Sequence, residues 1–552
     1  MEKNVARWRA AFANENLNPG DRVAIMLRNC MEWTFFDLAA LSLGLITVPL
    51  YPNDRANNAA YILHNADAKF LLLDDLLEQQ ELAEHEIISG LTRVISLSKT
   101  KPSHRLDNWL PADIWLGDTP DINIELPTLD PHSLATIVYT SGTTGHPKGV
   151  MLSHYNILWN AWSGMQSIPI YPEDNFLSFL PLSHTLERTI GYYLPIMAGA
   201  TITYARSIPQ LADDLLEQKP TVLISVPRIY ERIYNRVQTQ LKEKSSFAQI
   251  LFEYAVYAGW LHFEYQQKRQ KWHPALLLHP LLNFLIGKKI RDKVGGRLRV
   301  AICGGAPLAE NIAKTFIALG LPVLQGYGLT ETSPVIGVNK LERNYPRSIG
   351  LPLQDVAVRF SHAGELQVKS PGVMLGYWNN PEATAETVDQ ESWLHTGDLG
   401  MQDAEGFIQI TGRLKDIIVL ANGEKIPPTD MEIAIANDPL IEHVLVIGEG
   451  RPFLSALIVL ADDAWPHLAD KAKLTTHDPE KLKVHPYIEQ LLLDGIQKQL
   501  HDFPSYAQII RAGISLTPWT VNNGLFTPTL KAKRKQIAAH FADQINTFYE
   551  EH

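Results

Sequence analysis

Residues Tyr139–Gly149 have the sequence YTSGTTGHPKG and directly follow the apolar run Ala135–Val138. Backbone N–H groups and hydroxyls in such a glycine-, threonine- and serine-rich loop can surround phosphate oxygens, and Lys148 can add a positive charge. No Gly-Lys-Ser/Thr closes the loop, so it is not a Walker A loop. A flexible polar turn would explain a few of these residues but not the whole string. The candidate phosphate contacts are Thr140, Ser141, Gly142, Thr143, Thr144, Gly145 and Lys148.

Short β-branched runs alternate with helix-like stretches on both sides of this loop. Strands are predicted at Arg22–Leu27, Ala135–Thr140 and Pro322–Gln325, and helices at Glu32–Leu43 and Ser153–Ser163. This alternation predicts an α/β fold of βαβ units with largely parallel sheets, and binding sites at the carboxyl ends of the strands.

The character of the chain changes near residue 347. Residues 347–412 hold short strand-like runs bounded by Gly, Ser and Pro, which predict a small β-rich unit. Strands and helices then predict a compact α+β domain, with a boundary near Gly412–Lys415. We therefore expect a large N-terminal domain at 1–412 and a C-terminal domain at 413–552.

A stretch at 234–295 stands apart because it is rich in Lys, Gln, Glu and aromatic residues. Apolar residues recur there at helical spacing, which predicts two or three helices inserted between strands. A packed surface insertion and a membrane or partner surface both fit this pattern.

Composition excludes several classes of protein. The 552 residues are 45% hydrophobic and 20% charged, which is ordinary for a soluble globular chain, and the net charge of −11 argues against a nucleic-acid surface. Two cysteines, Cys30 and Cys303, are too few for a disulfide framework or a zinc site. The first residues lack a secretory core, and Pro274–Gly287 is too short to span a bilayer. We expect a cytoplasmic protein, with peripheral membrane contact left open.

The loop resembles the phosphate-binding signature of the adenylate-forming enzymes, which include acyl-CoA synthetases, luciferases and peptide-synthetase adenylation domains. The resemblance begins near Asp21 and runs to the C-terminus, and the family usually has a longer segment before this point. Stretches similar to the family's other motifs follow in order: PLSHTLER (Pro181–Arg188), GGAPL (Gly304–Leu308), QGYGLTETSP (Gln325–Pro334), LHTGDLG (Leu394–Gly400), GRLKD (Gly412–Asp416) and NGLFTPTLKAKRK (Asn523–Lys535).

The resemblance implies a role for each motif of the large domain. His184 would lie beside the carboxylate that is activated, Thr330 would contact the α-phosphate, and Glu331 would bind Mg²⁺. Small residues suit the adenine site, because they let backbone approach a flat base. The implied adenine contacts are Gly304, Gly305, Ala306, Pro307, Gly326, Tyr327 and Gly328, with Tyr327 stacking on the ring. Taken alone, a single His in a turn is usually structural, and the Gln325–Pro334 string also fits a strand followed by a helix N-terminus.

The remaining motifs imply ribose contacts, a hinge and a catalytic lysine. Asp398 would accept hydrogen bonds from the ribose hydroxyls, with Arg413 joining that contact. Lys415 would be the pivot of a mobile C-terminal lid. Lys531 would be the catalytic lysine, although the basic cluster around it also fits a solvated tail.

The family's chemistry is ATP-dependent formation of an acyl-adenylate with release of pyrophosphate, followed by transfer of the acyl group to a thiol. The insertion and the run SVPRIYERIY from Ser225 look most like bacterial long-chain fatty acyl-CoA synthetases. This resemblance implies a fatty acid, ATP and coenzyme A as substrates, with Mg²⁺ as cofactor.

Two alternatives to this function stay open. One is an acyl-AMP ligase that loads a carrier protein, and the other is a non-catalytic lipid-binding protein on a degenerate scaffold. Against degeneracy, the chain retains Lys148, Glu331, Asp398, Arg413 and Lys531.

Overall fold

The computed structural model describes residues 1–75, 80–100, 106–117, 124–140, 146–461, 464–472, 474, 478–501, 503–504, 507–527 and 531–550. The chain forms two compact units. Unit 1 comprises Met1–Arg359, Gln367–His395 and Asp403–Ile408, and unit 2 comprises Phe360–Leu366, Thr396–Gln402 and Gln409–His552. Unit 2 therefore takes two short pieces of the predicted β-rich stretch in addition to the C-terminal part.

The strands, in chain order, have the following bounds. They are β1 (Arg22–Met26), β2 (Ile46–Pro49), β3 (Ala68–Leu73), β4 (Arg93–Ser96), β5 (Trp109–Pro111), β6 (Leu134–Thr140), β7 (Lys148–Ser153), β8 (Asn175–Ser178), β9 (Thr201–Tyr204), β10 (Val222–Ser225), β11 (Val300–Cys303), β12 (Val323–Gly328), β13 (Val335–Val338), β14 (Leu351–Pro352), β15 (Ala357–Phe360), β16 (Glu365–Lys369), β17 (Gly376–Tyr377), β18 (Leu394–Gln402), β19 (Ile408–Arg413), β20 (Ile418–Val419), β21 (Lys425–Ile426), β22 (Ile441–Ile447), β23 (Leu454–Leu460) and β24 (Ile509–Ile514).

The α-helices are given in the same order. They are α1 (Glu2–Ala13), α2 (Met31–Ser42), α3 (Ala56–Asn65), α4 (Gln80–Ala83), α5 (Glu86–Gly90), α6 (Ala112–Leu116), α7 (His154–Ser167), α8 (Leu194–Ala198), α9 (Leu211–Gln218), α10 (Pro227–Lys242), α11 (Ser246–Gln266), α12 (His279–Leu282), α13 (Lys288–Asp292), α14 (Glu310–Ala318), α15 (Pro381–Thr387), α16 (Pro428–Ile435), α17 (Ala464–Lys471), α18 (Pro479–Leu482), α19 (Pro486–Gln499), α20 (Arg534–His540) and α21 (Ala542–Thr547).

Unit 1 contains two large sheets. The first has the strand order β17-β7-β6-β2-β1-β3-β4-β5, and the second has the order β14-β13-β12-β11-β10-β8-β9. Strands β10 and β11 are buried along their whole length, as expected for parallel strands covered on both faces. A further sheet has the order β15-β16-β18-β19.

The prediction of largely parallel sheets is confirmed, and the antiparallel strands lie at one edge of each large sheet. Strand β7 pairs antiparallel with β6, and β17 pairs antiparallel with β7. Strands β13 and β14 are likewise antiparallel to their neighbours. Only residues 141–147 join β6 to β7, which is too short for the crossover that a parallel pair needs.

The predicted insertion between β10 and β11 is helical. It contains α10 and α11, a 3₁₀ turn at Pro274–Leu277, α12, a π-helical turn at Asn283–Gly287, and α13. Helix α11 packs closely on α14, because a Cβ added at Gly259 would overlap the carbonyl oxygen of Ala318. Of the helices in the described ranges, none is both long and apolar enough to cross a bilayer.

Unit 2 is built around the sheet β22-β23-β24, in which β23 is antiparallel to β22 and parallel to β24. Residues of α16, α17 and α19 pack on it, with Met431, Leu468 and Ile488 buried in the core. Strands β20 and β21 form a hairpin around Asn422-Gly423, where Gly423 has a φ of +85°.

Candidate active site

Three segments of unit 1 lie at the same edge of the second sheet: the one after β10, the GGAPL segment after β11 and the end of β12. Strands β10, β11 and β12 are parallel, with Ser225 paired to Cys303 and Cys303 paired to Gln325. The segments that follow β10 and β11, and the end of β12, therefore lie at the carboxyl edge, where ligands of open α/β sheets bind. The Gly304 N–H donates to the carbonyl of Ser225 at 3.0 Å, which fixes the start of the GGAPL segment there.

Small residues allow these segments to approach one another. A Cβ added at Gly304 would lie 3.2 Å from the side chain of Leu186, in the PLSHTLER motif. A Cβ added at Gly328 would overlap the carbonyl oxygen of Pro334. The close approach of these two backbone segments therefore requires glycine at position 328.

The predicted adenine contacts differ in accessibility. Gly305, Ala306 and Pro307 are exposed, whereas Gly304 is buried and Gly326, Tyr327 and Gly328 are half-buried in β12. The backbone just beyond the exposed run is anchored, because the Leu308 N–H donates to Gln325 Oε1 at 3.1 Å.

The structure brings the His184 motif against the Thr330 turn. The hydroxyls of Thr185 and Thr330 lie 3.3 Å apart, and Thr189 Oγ1 donates to the carbonyl of Ser333 at 3.0 Å. His184 is half-buried, and its Nδ1 accepts from the Leu186 N–H at 3.2 Å.

Glu331 and Lys148 meet through a residue that no motif predicted, Tyr377. The Tyr377 hydroxyl donates to Glu331 Oε1 at 2.8 Å, and Lys148 Nζ lies 5.1 Å from the centroid of the Tyr377 ring. Tyr377 reaches this position because β17 pairs antiparallel with β7, placing it opposite Val150. Burial, and then the charge of Glu331, raise the pKa of Tyr377, so it remains a neutral donor.

The two ends of the predicted phosphate loop contact α3. The loop residues Ser141, Gly142, Thr143, Thr144 and Gly145 lie outside the described residues. Thr140 ends β6 and pairs with Lys148 at the start of β7. The Tyr139 hydroxyl donates to Asn65 Oδ1 at 2.6 Å, and His146 stacks on Tyr61 with ring centroids 4.5 Å apart.

A buried ionic network connects the PLSHTLER motif to other elements of unit 1. Arg188 pairs with Asp37 at 2.5 Å and donates to the hydroxyls of Thr136 and Thr47 at 2.8 and 2.7 Å. The Tyr193 hydroxyl donates to the other oxygen of Asp37 at 2.7 Å. These bonds tie the motif to α2, β2 and β6, and they satisfy charges that would otherwise be costly to bury.

In unit 2, the two predicted ribose residues form an ion pair. Arg413 Nε lies 2.8 Å from Asp398 Oδ1, and Asp398 is only 3% exposed. Asp398 belongs to β18 and Arg413 ends β19, while Lys415 is exposed in the 3₁₀ turn Leu414–Asp416 that follows.

Lys531, also in unit 2, is exposed and hydrogen-bonded to Thr527 through its backbone. Its N–H donates to Thr527 Oγ1 at 3.0 Å, and its carbonyl accepts from the Thr527 N–H at 2.9 Å. The neighbouring Phe526 is buried edge-on to His443. The backbone of Lys531 is therefore well fixed while its side chain faces solvent.

Comparison with known proteins identifies the family. Residues 1–378 match the model of the AMP-binding enzyme family, and residues 415–552 match that of the AMP-binding enzyme C-terminal domain. The chain belongs to the AMP-binding enzyme family. It is an adenylate-forming ligase, as the ordered motifs predicted.

Curated relatives of this AMP-binding enzyme extend over nearly its whole length. It is 32% identical to "Long-chain-fatty-acid--CoA ligase FadD15" of Mycobacterium bovis, over 96% of this chain and 88% of that protein. It is 30% identical to "Long-chain-fatty-acid--CoA ligase 5" of Rattus norvegicus, over 96% of this chain and 80% of that protein.

Solved structures show the same fold. The adenylation domain of a carboxylate reductase from Mycobacterium chelonae matches with a TM-score of 0.79 at 21% identity, over 99% of this chain and 83% of that one. ATP-bound MatB from Rhodopseudomonas palustris matches with a TM-score of 0.70 at 23% identity, over 98% and 93%. The predicted α/β fold with a smaller C-terminal domain is confirmed.

Three structural features around the candidate site were not predicted from the sequence. Tyr377 carried one usable signal, a Tyr-Trp pair between Gly376 and Asn379 in a β-rich stretch. The Arg188–Asp37 pair joins residues 151 positions apart and left no local pattern. Glu187, beside Arg188, is 1% exposed, and among the described residues none gives its Oε2 a hydrogen bond.

Proposed function

We propose that this AMP-binding enzyme is a long-chain fatty acid–CoA ligase. It would join a fatty acid to ATP as acyl-AMP, releasing pyrophosphate, and then transfer the acyl group to coenzyme A, releasing AMP. The observation that supports the acyl-AMP step is the meeting of the His184 and Thr330 motifs through the 3.3 Å contact of Thr185 with Thr330. The motifs that we assign to the acid and to the α-phosphate are thereby neighbours within unit 1.

In the first half-reaction, a carboxylate oxygen of the acid attacks the α-phosphorus of ATP in line. The new O–P bond forms as the bond from the α-phosphorus to the pyrophosphate oxygen breaks. Catalysis then depends mainly on positioning and on neutralising charge. We assign Thr330 to the α-phosphate, His184 to the acid side, and Lys148 with the loop Thr140–Gly145 to the β- and γ-phosphates.

Glu331 is the residue we assign to Mg²⁺. The described residues include no group of three or more His, Cys, Asp or Glu side chains that could hold a metal. Mg²⁺ is commonly held by one or two carboxylates together with substrate phosphates and water, and Glu331 would supply one such carboxylate. When bound, it would neutralise charge on the phosphates. The hydrogen bond from Tyr377 occupies one oxygen of the Glu331 carboxylate and orients the other oxygen.

We assign the adenine and the ribose of the nucleotide to separate sets of residues. The exposed backbone of Gly305, Ala306 and Pro307 is open to a flat base, and Tyr327 would stack on it. Asp398 would accept from the ribose hydroxyls, and the ion pair with Arg413 orients this buried carboxylate.

In the second half-reaction, the sulfur of coenzyme A attacks the acyl carbonyl. A C–S bond forms, and the bond from the acyl carbon to the AMP oxygen breaks. We assign Lys531 to the first half-reaction only, with the C-terminal domain 413–552 turning about Lys415 between the two steps. A few residues at a domain boundary can absorb such a rotation.

The long-chain acid and coenzyme A rest on the relatives, two of which carry the name long-chain-fatty-acid–CoA ligase at 30–32% identity. An alkyl chain needs only an apolar cleft lined by ordinary hydrophobic residues. The free cysteines Cys30 and Cys303 suit a reducing compartment, so we assign the enzyme to the cytoplasm.

The acceptor is tested by following acyl transfer from a long-chain fatty acid and ATP. Coenzyme A and a carrier protein with its phosphopantetheine arm are offered separately, and thioester and AMP are quantified. We expect rapid thioester formation on coenzyme A and little on the carrier. Transfer to the carrier alone would make the protein an acyl-AMP ligase, and absence of AMP with both acceptors would point to a lipid-binding scaffold.

A further inference from the structure

The helical insertion of unit 1 exposes an apolar surface, which we name the insertion patch. One half is a stripe on α11 formed by Phe247, Ile250, Tyr254 and Tyr257, which recur at helical spacing. The other half lies on the segment after α11 and consists of Leu277, Leu278, Leu281, Phe284 and Leu285.

The members of the insertion patch are strongly exposed. Phe247 is 74% exposed, Leu277 is 72% and Phe284 is 65%. Single exposed hydrophobic residues are normal, but a cluster on one structural feature marks an interaction surface.

The exposed residues of the insertion patch are not needed to complete the hydrophobic core of the insertion. The inner faces of the same elements already pack together, with Ala255, Ala258, Ala275 and Leu282 buried in a small cluster. The chain after α11 also returns to that helix outside the cluster, since the rings of Tyr257 and His273 lie 6.2 Å apart. The outer residues are therefore surplus to the folding of the insertion.

Basic residues flank the patch. Residues 242–297 contain ten Lys and Arg but four Asp and Glu, whereas the whole chain has a net charge of −11. Lys288 and Lys289 directly follow the segment, and Lys268 and Lys271 precede it, all of them exposed. Positive charge beside an exposed apolar helical surface is the pattern of a protein that lies on an anionic membrane.

The aromatic residues fit the same setting. Tyr254, Tyr257, Tyr265 and Trp272 are all exposed on or beside the patch. Tyrosine and tryptophan combine an apolar ring with a polar group and collect at the level of lipid headgroups.

We propose that the insertion patch docks on the surface of a lipid bilayer that contains anionic headgroups. Leu277, Leu281 and Phe284 enter the boundary between headgroups and acyl chains, and the lysines contact lipid phosphates. A second copy of this chain is a poorer occupant, because it would bring two basic surfaces together. The docking needs no catalysis and is independent of the fatty acid and the acceptor.

The first test is co-sedimentation of the full chain with vesicles, either of phosphatidylcholine alone or of equal parts phosphatidylcholine and phosphatidylglycerol. We expect binding to the mixed vesicles that weakens as salt is raised, and much weaker binding to the neutral ones. No binding to the mixed vesicles, or equal binding to both, would overturn the proposal.

Two variants address the patch itself. Leu277→Ser/Leu281→Ser/Phe284→Ser should weaken vesicle binding by at least about tenfold, because three apolar side chains no longer enter the bilayer. The matched control is Ile114→Ser/Leu158→Ser/Leu216→Ser, which removes three exposed apolar residues outside the insertion. Equal loss in the control, or unchanged binding in the patch variant, would refute docking through this surface.

A charge variant tests the lysines. Lys271→Gln/Lys289→Gln/Lys293→Gln should weaken binding to the mixed vesicles and flatten its salt dependence, whereas Lys3→Gln/Lys481→Gln/Lys498→Gln, at exposed lysines elsewhere, should change neither. Unaltered salt dependence in the first variant would contradict the assigned role of these lysines.

Hydrogen exchange tests the wild-type chain without any substitution. Backbone amides of 274–287 should exchange more slowly when mixed vesicles are added, whereas amides outside the insertion should not change. Protection elsewhere but not at 274–287 would overturn the proposal. Loss of self-association in the patch variant, with vesicle binding intact, would instead identify a protein interface.

Discussion

Replacing Glu187 by Gln should change how the stability of unit 1 depends on pH. Glu187 follows the His184 loop and opens a π-helical turn, Glu187–Tyr193, in which a Cβ added at Gly191 would lie 2.6 Å from its carboxyl group. Burial raises the pKa of Glu187 to about 8, from an ordinary value of 4.5. The native protein therefore holds a proton at neutral pH that the unfolded chain releases.

The size of the effect follows from proton linkage. Between pH 4.5 and about 8 the unfolded state binds one proton fewer at this site, so the free energy of unfolding falls as pH rises. The slope is about 1.4 kcal/mol per pH unit, which amounts to about 5 kcal/mol over the whole window. The contribution is fully present below pH 4.5 and is lost above pH 8. A glutamine is neutral throughout and removes this slope.

Urea unfolding of the wild type and of Glu187→Gln, followed by tryptophan fluorescence at pH values from about 5 to about 8, measures the difference. The stability of the variant relative to wild type should rise with pH along that slope. Glu382→Gln, at an exposed carboxylate in the first turn of α15, is the control and should run parallel to wild type. A difference that does not vary with pH, or that grows towards low pH, would refute the assignment of a protonated Glu187.

Three further substitutions test the site. Tyr377→Phe removes the hydrogen bond to Glu331 and should slow acyl-AMP formation roughly tenfold, measured as pyrophosphate release; an unchanged rate would exclude this role. Gly328→Ala should lower the free energy of unfolding by about 2 kcal/mol or more through steric overlap, and an unaltered melting temperature would contradict this. Lys531→Ala should abolish acyl-AMP formation but largely spare thioester formation from supplied acyl-AMP, whereas Lys533→Ala should retain both; equal loss of both half-reactions in Lys531→Ala would disprove its assignment.

The sequence predicted best those parts of the fold that follow from local periodicity. The run Arg22–Leu27 predicted a strand that the structure places at Arg22–Met26, because a β-branched run between turns has few alternatives. The convergence of GGAPL and QGYGLTETSP was also predictable, because parallel strands present their carboxyl ends at one edge.

Contacts between distant parts of the chain could not be predicted in this way. Tyr377 reaches Glu331 only because β17 adds to the edge of the first sheet, and two-residue strands have no periodicity. Ile250 and Ala255 are both apolar residues at helical spacing, and the sequence does not distinguish them. In the structure, packing buries Ala255 and leaves Ile250 exposed to solvent. Which apolar face is covered depends on neighbours that one helix does not encode.

The central claim, formation of an acyl-adenylate from a long-chain fatty acid, is tested most directly by ATP–pyrophosphate exchange. Labelled pyrophosphate is incubated with the enzyme, ATP and Mg²⁺, with a series of acids that runs from short and aromatic to long-chain. We predict label in ATP that requires an added acid and is greatest with long-chain fatty acids. Absence of exchange with every acid would contradict adenylation, and exchange only with short or aromatic acids would contradict the long-chain assignment.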